Sequence, residues 1–170
     1  FDAVAHLEQL IGSPVNREEL IARRRRRKAE LYERAPLLPG VRERLAEAQS
    51  LGLKTAIVTR NREARVAAQC ATVGLDHAWD VLVCANEEPT RDKGELYRHA
   101  LSLLGVAPGE AVAFEDSPAG LEAARRAGVA CVAVPSEITR GAAFADAALV
   151  LPSLADATLD EILARLRASL

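Results

Sequence analysis

The 170-residue sequence contains no methionine. A complete translation product normally opens on that residue and this chain opens on Phe1, so the expectation is a fragment or a processed product of a longer protein. Residues 1–12 include acids and have no long apolar core, so they do not read as a signal-peptide pattern. No run reaches the ~18 consecutive apolar residues that a membrane-spanning helix needs. The cysteines are only three, Cys70, Cys84 and Cys131, with no CxxC pair, and His6, His77 and His99 share no ligand spacing with them. A disulfide framework and a zinc site are therefore not expected; the reading is buried free thiols in a reducing, cytoplasmic setting. Net charge is scarce as well. Twenty-two basic against 24 acidic residues leave −2, too little to steer the whole molecule to nucleic acid or an anionic membrane.

What is present is an ordinary globular composition, 49% apolar and 27% charged. A chain of this length buries roughly 70% of its unfolded surface, enough for one core. Only Lys28, Lys54 and Lys93 are lysines, the other basic residues being arginine, so each lysine is more informative than usual.

Val4, Leu7, Leu10 and Ile11 share one helical face that Gly12 can end. Asn16 with Glu19 three residues on reads as the cap of a second helix running to about residue 34. The stretch Ala35-Pro36-Leu37-Leu38-Pro39-Gly40 breaks the chain, so residues 1–37 form an N-terminal helical piece and 38–170 the main domain. Beyond it helices over 41–50, 63–73, 93–104 and 118–127, each followed by glycine, alternate with short apolar strands over 53–58, 80–84, 111–114 and 130–134. A further strand is expected near 148–151, then a last helix capped by Thr158 with Glu161. Such alternation predicts an α/β fold with a mostly parallel sheet covered on both faces.

Ligands of open α/β sheets bind beyond the carboxyl ends of the strands. There the sequence places Thr59-Arg60-Asn61, the acidic loop Asn86-Glu87-Glu88 leading to Lys93, and Glu115-Asp116-Ser117-Pro118. Two adjacent carboxylates repel unless a cation lies between them, and a hard dication such as magnesium is one candidate. The alternative is helix capping, with Ser117 as N-cap and the acids near the positive helix end. Thr59 is either an anion-binding hydroxyl or a cap, and Arg60 reaches the same anion or is solvated. Lys93 opens a helix, where the dipole disfavours a cation, which calls for a compensating anion. Together these groups sketch a site for a phosphate and magnesium. The run Arg23 to Lys28 suggests an RNA, DNA or acidic-partner patch, yet Glu18, Glu19, Glu30 and Glu33 lie at ion-pairing distance along the helix, and a solvated face is the favoured reading.

These stretches resemble the haloacid dehalogenase-like hydrolases, in the phosphatase and β-phosphoglucomutase-like branch with a helical cap. Ala56-Ile57-Val58-Thr59-Arg60-Asn61 is similar to the family's second motif, and Asp92-Lys93-Gly94-Glu95-Leu96-Tyr97 to the third. Phe114-Glu115-Asp116-Ser117-Pro118-Ala119-Gly120, followed by Ala123-Ala124 and Gly128-Val129, is similar to the fourth and is the most specific. The resemblance covers residues 38–170, with 1–34 similar to the later part of a cap. It implies a Rossmann-like core and magnesium-dependent hydrolysis of a small phosphorylated metabolite through an aspartyl-phosphate. Thr59, Arg60, Asn61 and Lys93 would bind the phosphoryl group, Thr59 and Lys93 acting in catalysis, and Glu115 and Asp116 would hold the metal. No nucleic acid or membrane partner is implied. A mutase or dehalogenase reaction, or a non-catalytic scaffold, are the alternatives. The family's first motif, Asp-x-Asp on a central strand, occurs nowhere in the sequence. That strand belongs between those ending at Thr59 and Phe114, so the expectation is a core lacking its first strand and its nucleophile, and inactive alone. Arg60 and Asn61 also replace the small residues common in the second motif of this branch.

Overall fold

A computed structural model describes residues 2–86 and 92–168 of the chain. Glu87 and Glu88 of the expected acidic loop lie outside the described residues. The chain divides into two units, Phe1–Pro36 and Leu37–Leu170.

The first unit holds helices α1 (Ala3–Ile11) and α2 (Arg17–Arg34). Asp2 caps α1, its carboxylate accepting from the Val4 and Ala5 N–H groups at 3.0 and 3.2 Å. Gly12 ends the helix with φ 69, a left-handed conformation that costs glycine little. Asn16 accepts from the Glu19 N–H at 3.1 Å, the cap its sequence position predicts. The basic run from Arg23 to Lys28 is exposed, and Arg27 pairs with Glu30 at 3.1 Å. This is the solvated, ion-paired face.

The second unit alternates strand and helix: α3 (Val41–Ser50), β1 (Ala56–Thr59), α4 (Glu63–Thr72), β2 (Val81–Cys84), α5 (Lys93–Leu104), β3 (Val112–Glu115), α6 (Pro118–Arg126), β4 (Ala130–Ala133), β5 (Leu149–Val150) and α7 (Leu159–Ala168). Every observed strand pairing is parallel. The first strand starts later than residue 53 because Leu53 donates to the Ala48 carbonyl at 2.9 Å, still closing the end of α3. Thr55 is tied by its N–H to the Asp80 carboxylate at 2.7 Å, so the ladder begins one residue on, Ala56 opposite Val81.

Instead of one sheet, the strands make two: β1 with β2, and β3 with β4 and β5. The break falls between β1 and β3, where the expected first strand would stand. Helices join the halves. The α5 helix packs on β1 and β2, α6 on β3 and β4, and the two helices on each other. Val58 touches the clusters of both halves.

Strand alternation sends neighbouring side chains to opposite faces. Cys131 packs with Tyr97, Leu121 and Ala124 under α5 and α6, whereas Val132 packs with Ile162 and Leu166 of α7. Val132, Ile162 and Leu96 are fully buried, each contributing roughly 1.5–3 kcal/mol of hydrophobic stabilisation. Arg44 and Glu47 clasp α3 to the start of α7. The Arg44 guanidinium donates to the Leu154 carbonyl at 2.8 Å and to Glu47 at 2.6 Å, and Glu47 accepts from the Leu159 N–H at 2.7 Å. Thr158 and Glu161 exchange backbone bonds as the predicted capping box.

Candidate active site

The carboxyl ends of β1 and β3 and the first turns of α5 and α6 surround a cleft of about 550 Å³. Thr59, Arg60, Asn61, Lys93 and Ser117 line it. Four sequence-predicted site residues thus come together with the predicted N-cap.

Thr59 ends β1, and its hydroxyl oxygen accepts from the Asn61 N–H at 3.1 Å and the Asn61 side-chain amide at 3.2 Å. Thr59 is not the cap of α4, whose N-cap position is Arg62. The α4 N-terminus is served instead by Asn86, whose side chain accepts from the Glu63 N–H at 3.1 Å. Asn86 reaches it from a left-handed conformation, φ 49, which asparagine tolerates better than most residues. Sequence reasoning grouped Asn86 with the acidic loop and missed this role; an asparagine directly after an apolar strand was the available signal.

Lys93 opens α5, and the compensating anion is Glu115 at the end of β3, Nζ to Oε1 2.5 Å. Glu115 is the one charged residue buried among the described residues, 7% exposed. Its Oε1 also accepts from the Tyr97 hydroxyl. Lys93 and Tyr97 are four residues apart, one helical turn, so both reach the same oxygen from one face of α5. The ammonium lies 5.8 Å from the centre of the Tyr97 ring. Gly120 closes the far side: a Cβ there would stand 1.9 Å from Glu115 Oε2. Burial pushes the Tyr97 phenol well above its usual range and the Cys131 thiol up to about 12, the Glu115 charge adding to both.

Asp116 is exposed at the same strand end. Its backbone carbonyl accepts from the Thr139 hydroxyl at 2.5 Å, and the same oxygen of Thr139 accepts from the Ser136 N–H at 3.0 Å. The loop after β4 therefore ties down Asp116, a contact 23 positions away that no local pattern announced. Ser117 caps α6, accepting from the Gly120 N–H at 3.2 Å, with Pro118 in the first turn. Ser117 supplies the cap, and the two carboxylates face different surroundings, Glu115 buried and Asp116 exposed. At the cleft wall Arg126 pairs with Asp92 at 2.5 Å and holds that carboxyl below its usual range.

Among the described residues no three His, Cys, Asp or Glu side chains converge as a metal cage. A magnesium ion usually takes one or two carboxylates plus phosphate and water. The donor set suits that limited demand through Asp116, whereas Glu115 Oε1 is already engaged by two donors.

The chain is similar to known proteins over most of its length. The model of the haloacid dehalogenase-like hydrolases matches residues 3–128. The chain belongs to that hydrolase family. Among similar members is YhcW of Bacillus subtilis (strain 168), a candidate phosphatase by its name, 38% identical over 160 residues. That match takes 94% of this chain and 73% of YhcW. Protein CbbY of Rhodobacter capsulatus is 40% identical over 130 residues, 74% of this chain, and the match takes 57% of CbbY. The crystal structure of a CbbY mutant from Rhodobacter sphaeroides in complex with xylulose-(1,5)bisphosphate superposes with a TM-score of 0.74 at 30% identity. That superposition covers 88% of this chain and 70% of the CbbY chain. The chain thus spans between little more than half and about three quarters of these relatives' lengths.

Proposed function

We propose that the chain is the larger part of a magnesium-dependent phosphatase that acts on a small phosphorylated metabolite, a phosphorylated sugar being the favoured class. The observation that carries this reading is the Lys93–Glu115 ion pair, its carboxylate buried, with Lys93 and Thr59 lining one cleft. A cation fixed by a buried carboxylate and a hydroxyl at a strand end suit a phosphoryl group. The bound bisphosphate in the CbbY relative supports the sugar-phosphate class.

In this reading Thr59 donates to a phosphoryl oxygen, Lys93 neutralises charge on it, and Arg60 and Asn61 line the entrance and contact the rest of the substrate. Asp116 holds the metal, with Glu115 beside it. Magnesium, when bound, screens the phosphate charge so that an anionic nucleophile can approach. The nucleophile is an aspartate carboxylate. It attacks phosphorus, the ester oxygen leaves with a proton from the second aspartate of the Asp-x-Asp motif, and water, giving a proton back to that aspartate, then cleaves the aspartyl-phosphate to aspartate and inorganic phosphate. That aspartate is carried by a strand seated between β1 and β3. Their facing edges carry no ladder, and Phe114 in β3 keeps 36% exposure, which fits a missing neighbour. Residues 1–37 are read as part of a helical cap. The three free thiols fit a reducing cytoplasm.

The test is phosphate release from a panel of sugar phosphates by the full-length protein with magnesium. Hydrolysis that Asp116→Asn reduces by about a thousandfold, on the scale of removing a key electrostatic group, is expected. Activity unaffected by that substitution, or no phosphate released from any ester, would overturn the proposal.

A further inference from the structure

Resting on the phosphatase reading above, we propose that Tyr97 is a positioning residue of this site: its buried hydroxyl fixes the Glu115 carboxylate, and through it the Lys93 ammonium. Nothing in the family match or in the relatives' names assigns it a role.

Three contacts define where Glu115 can be. Tyr97 and Lys93 hold Oε1 from one face of α5, and Gly120 packs against Oε2 too closely for any side chain to intervene. The carboxylate therefore has one orientation, and its single oxygen shared by two donors determines the place of Lys93 Nζ. A lysine is otherwise a point charge on a flexible four-carbon stem. Its usefulness to a phosphoryl group depends on being held at one position, and a 1 Å displacement can cost a hundredfold in rate. The phenol suits this task. Tyr97 is 8% exposed, and its hydroxyl is seated directly on Glu115 Oε1. It also takes up part of the Glu115 charge. Without it the carboxylate has Lys93 as its one charged partner and draws the ammonium inward, away from the cleft.

Tyr97→Phe keeps the ring and its packing against Leu121 and Ala124 while deleting the hydroxyl, so a purely structural tyrosine would lose little. The experiment uses the full-length protein. It measures phosphatase kinetics, the affinity for inorganic phosphate by calorimetry without metal, and thermal stability. Expected for Tyr97→Phe are a fall in kcat/KM of about tenfold or more and a weakening of phosphate binding of similar size, the scale of one hydrogen bond to a charged group. In a Glu115→Gln background, adding Tyr97→Phe should cause little further loss, because both act through one carboxylate. Parent-like kinetics and phosphate affinity in Tyr97→Phe, or a full additive loss on Glu115→Gln, would overturn the proposal. Should Tyr97→Phe fail to fold, the near-ultraviolet tyrosine band of Glu115→Gln decides: a shifted band is expected, and an unmoved one refutes the contact. A parent protein that hydrolyses no phosphate ester would defeat the phosphatase reading, while the phosphate titration would still decide the role of Tyr97.

Discussion

The two sheets of the main unit differ in how firmly they are held. In β3–β4–β5 the central strand has a neighbour on each side and a helical layer on each face, and Val132 and Ala133 are fully buried. In β1–β2 all of β1 is only half-buried, and the cluster beneath it is small, Val83, Ala85, Leu96 and Ala100. The firm half carries Glu115 and Asp116; the looser half carries Thr59, Arg60 and Asn61, and α5 with Lys93 and Tyr97 spans the break. Rigid placement goes to the charged groups whose misplacement is costly in a low-dielectric interior, and the looser half presents a hydroxyl and an amide to the cleft.

Substitutions can break this contrast. Ile162→Ala, at the fully buried α7 contact of the firm half, should cost about 2–5 kcal/mol in a denaturant titration. Gly120→Ala should cost about 1–3 kcal/mol by driving a methyl into Glu115, and activity should fall further than stability predicts because Lys93 is displaced with it. Val58→Ala in the looser half should cost only about 1 kcal/mol, since part of that side chain is already in water. A cost equal to that of Ile162→Ala would erase the distinction between halves.

A smaller effect concerns acid. Glu47 is held below its ordinary 4.5 by the Leu159 N–H first and by Arg44 second. A carboxylate depressed in the folded state stabilises the fold above its unfolded pKa, and that contribution disappears as pH falls through the folded value. From about pH 5 downward the parent should therefore lose thermal stability more steeply than Glu47→Gln. Parallel acid profiles would remove the clasp from the account.

Much of this was legible in the sequence because local physics fixed it. Glycine stops, the Thr158–Glu161 box and the apolar strand periods place elements within a few residues, Thr59 and Glu115 fall at strand ends, and Lys93 falls at a helix start, as the alternation requires. The electrostatic misfit of Lys93 at a helix start announced that an anion had to be near. Its identity was not legible: Glu115 was read as a metal carboxylate, and only the three-dimensional closeness of α5, α6 and β3 shows it buried between Lys93, Tyr97 and Gly120. Thr139 and Asn86 were hidden for the same reason, since a hydroxyl that ties a carbonyl 23 residues away leaves no periodic trace.

The central claim is that the break between β1 and β3 receives a strand bearing the catalytic aspartate. Amide hydrogen exchange on the full-length protein tests it directly. The account predicts that alternate amides of β1 and β3 facing the break exchange as slowly as those of β4. Fast exchange there, with β4 protected, would show that no strand occupies the break and would contradict the account.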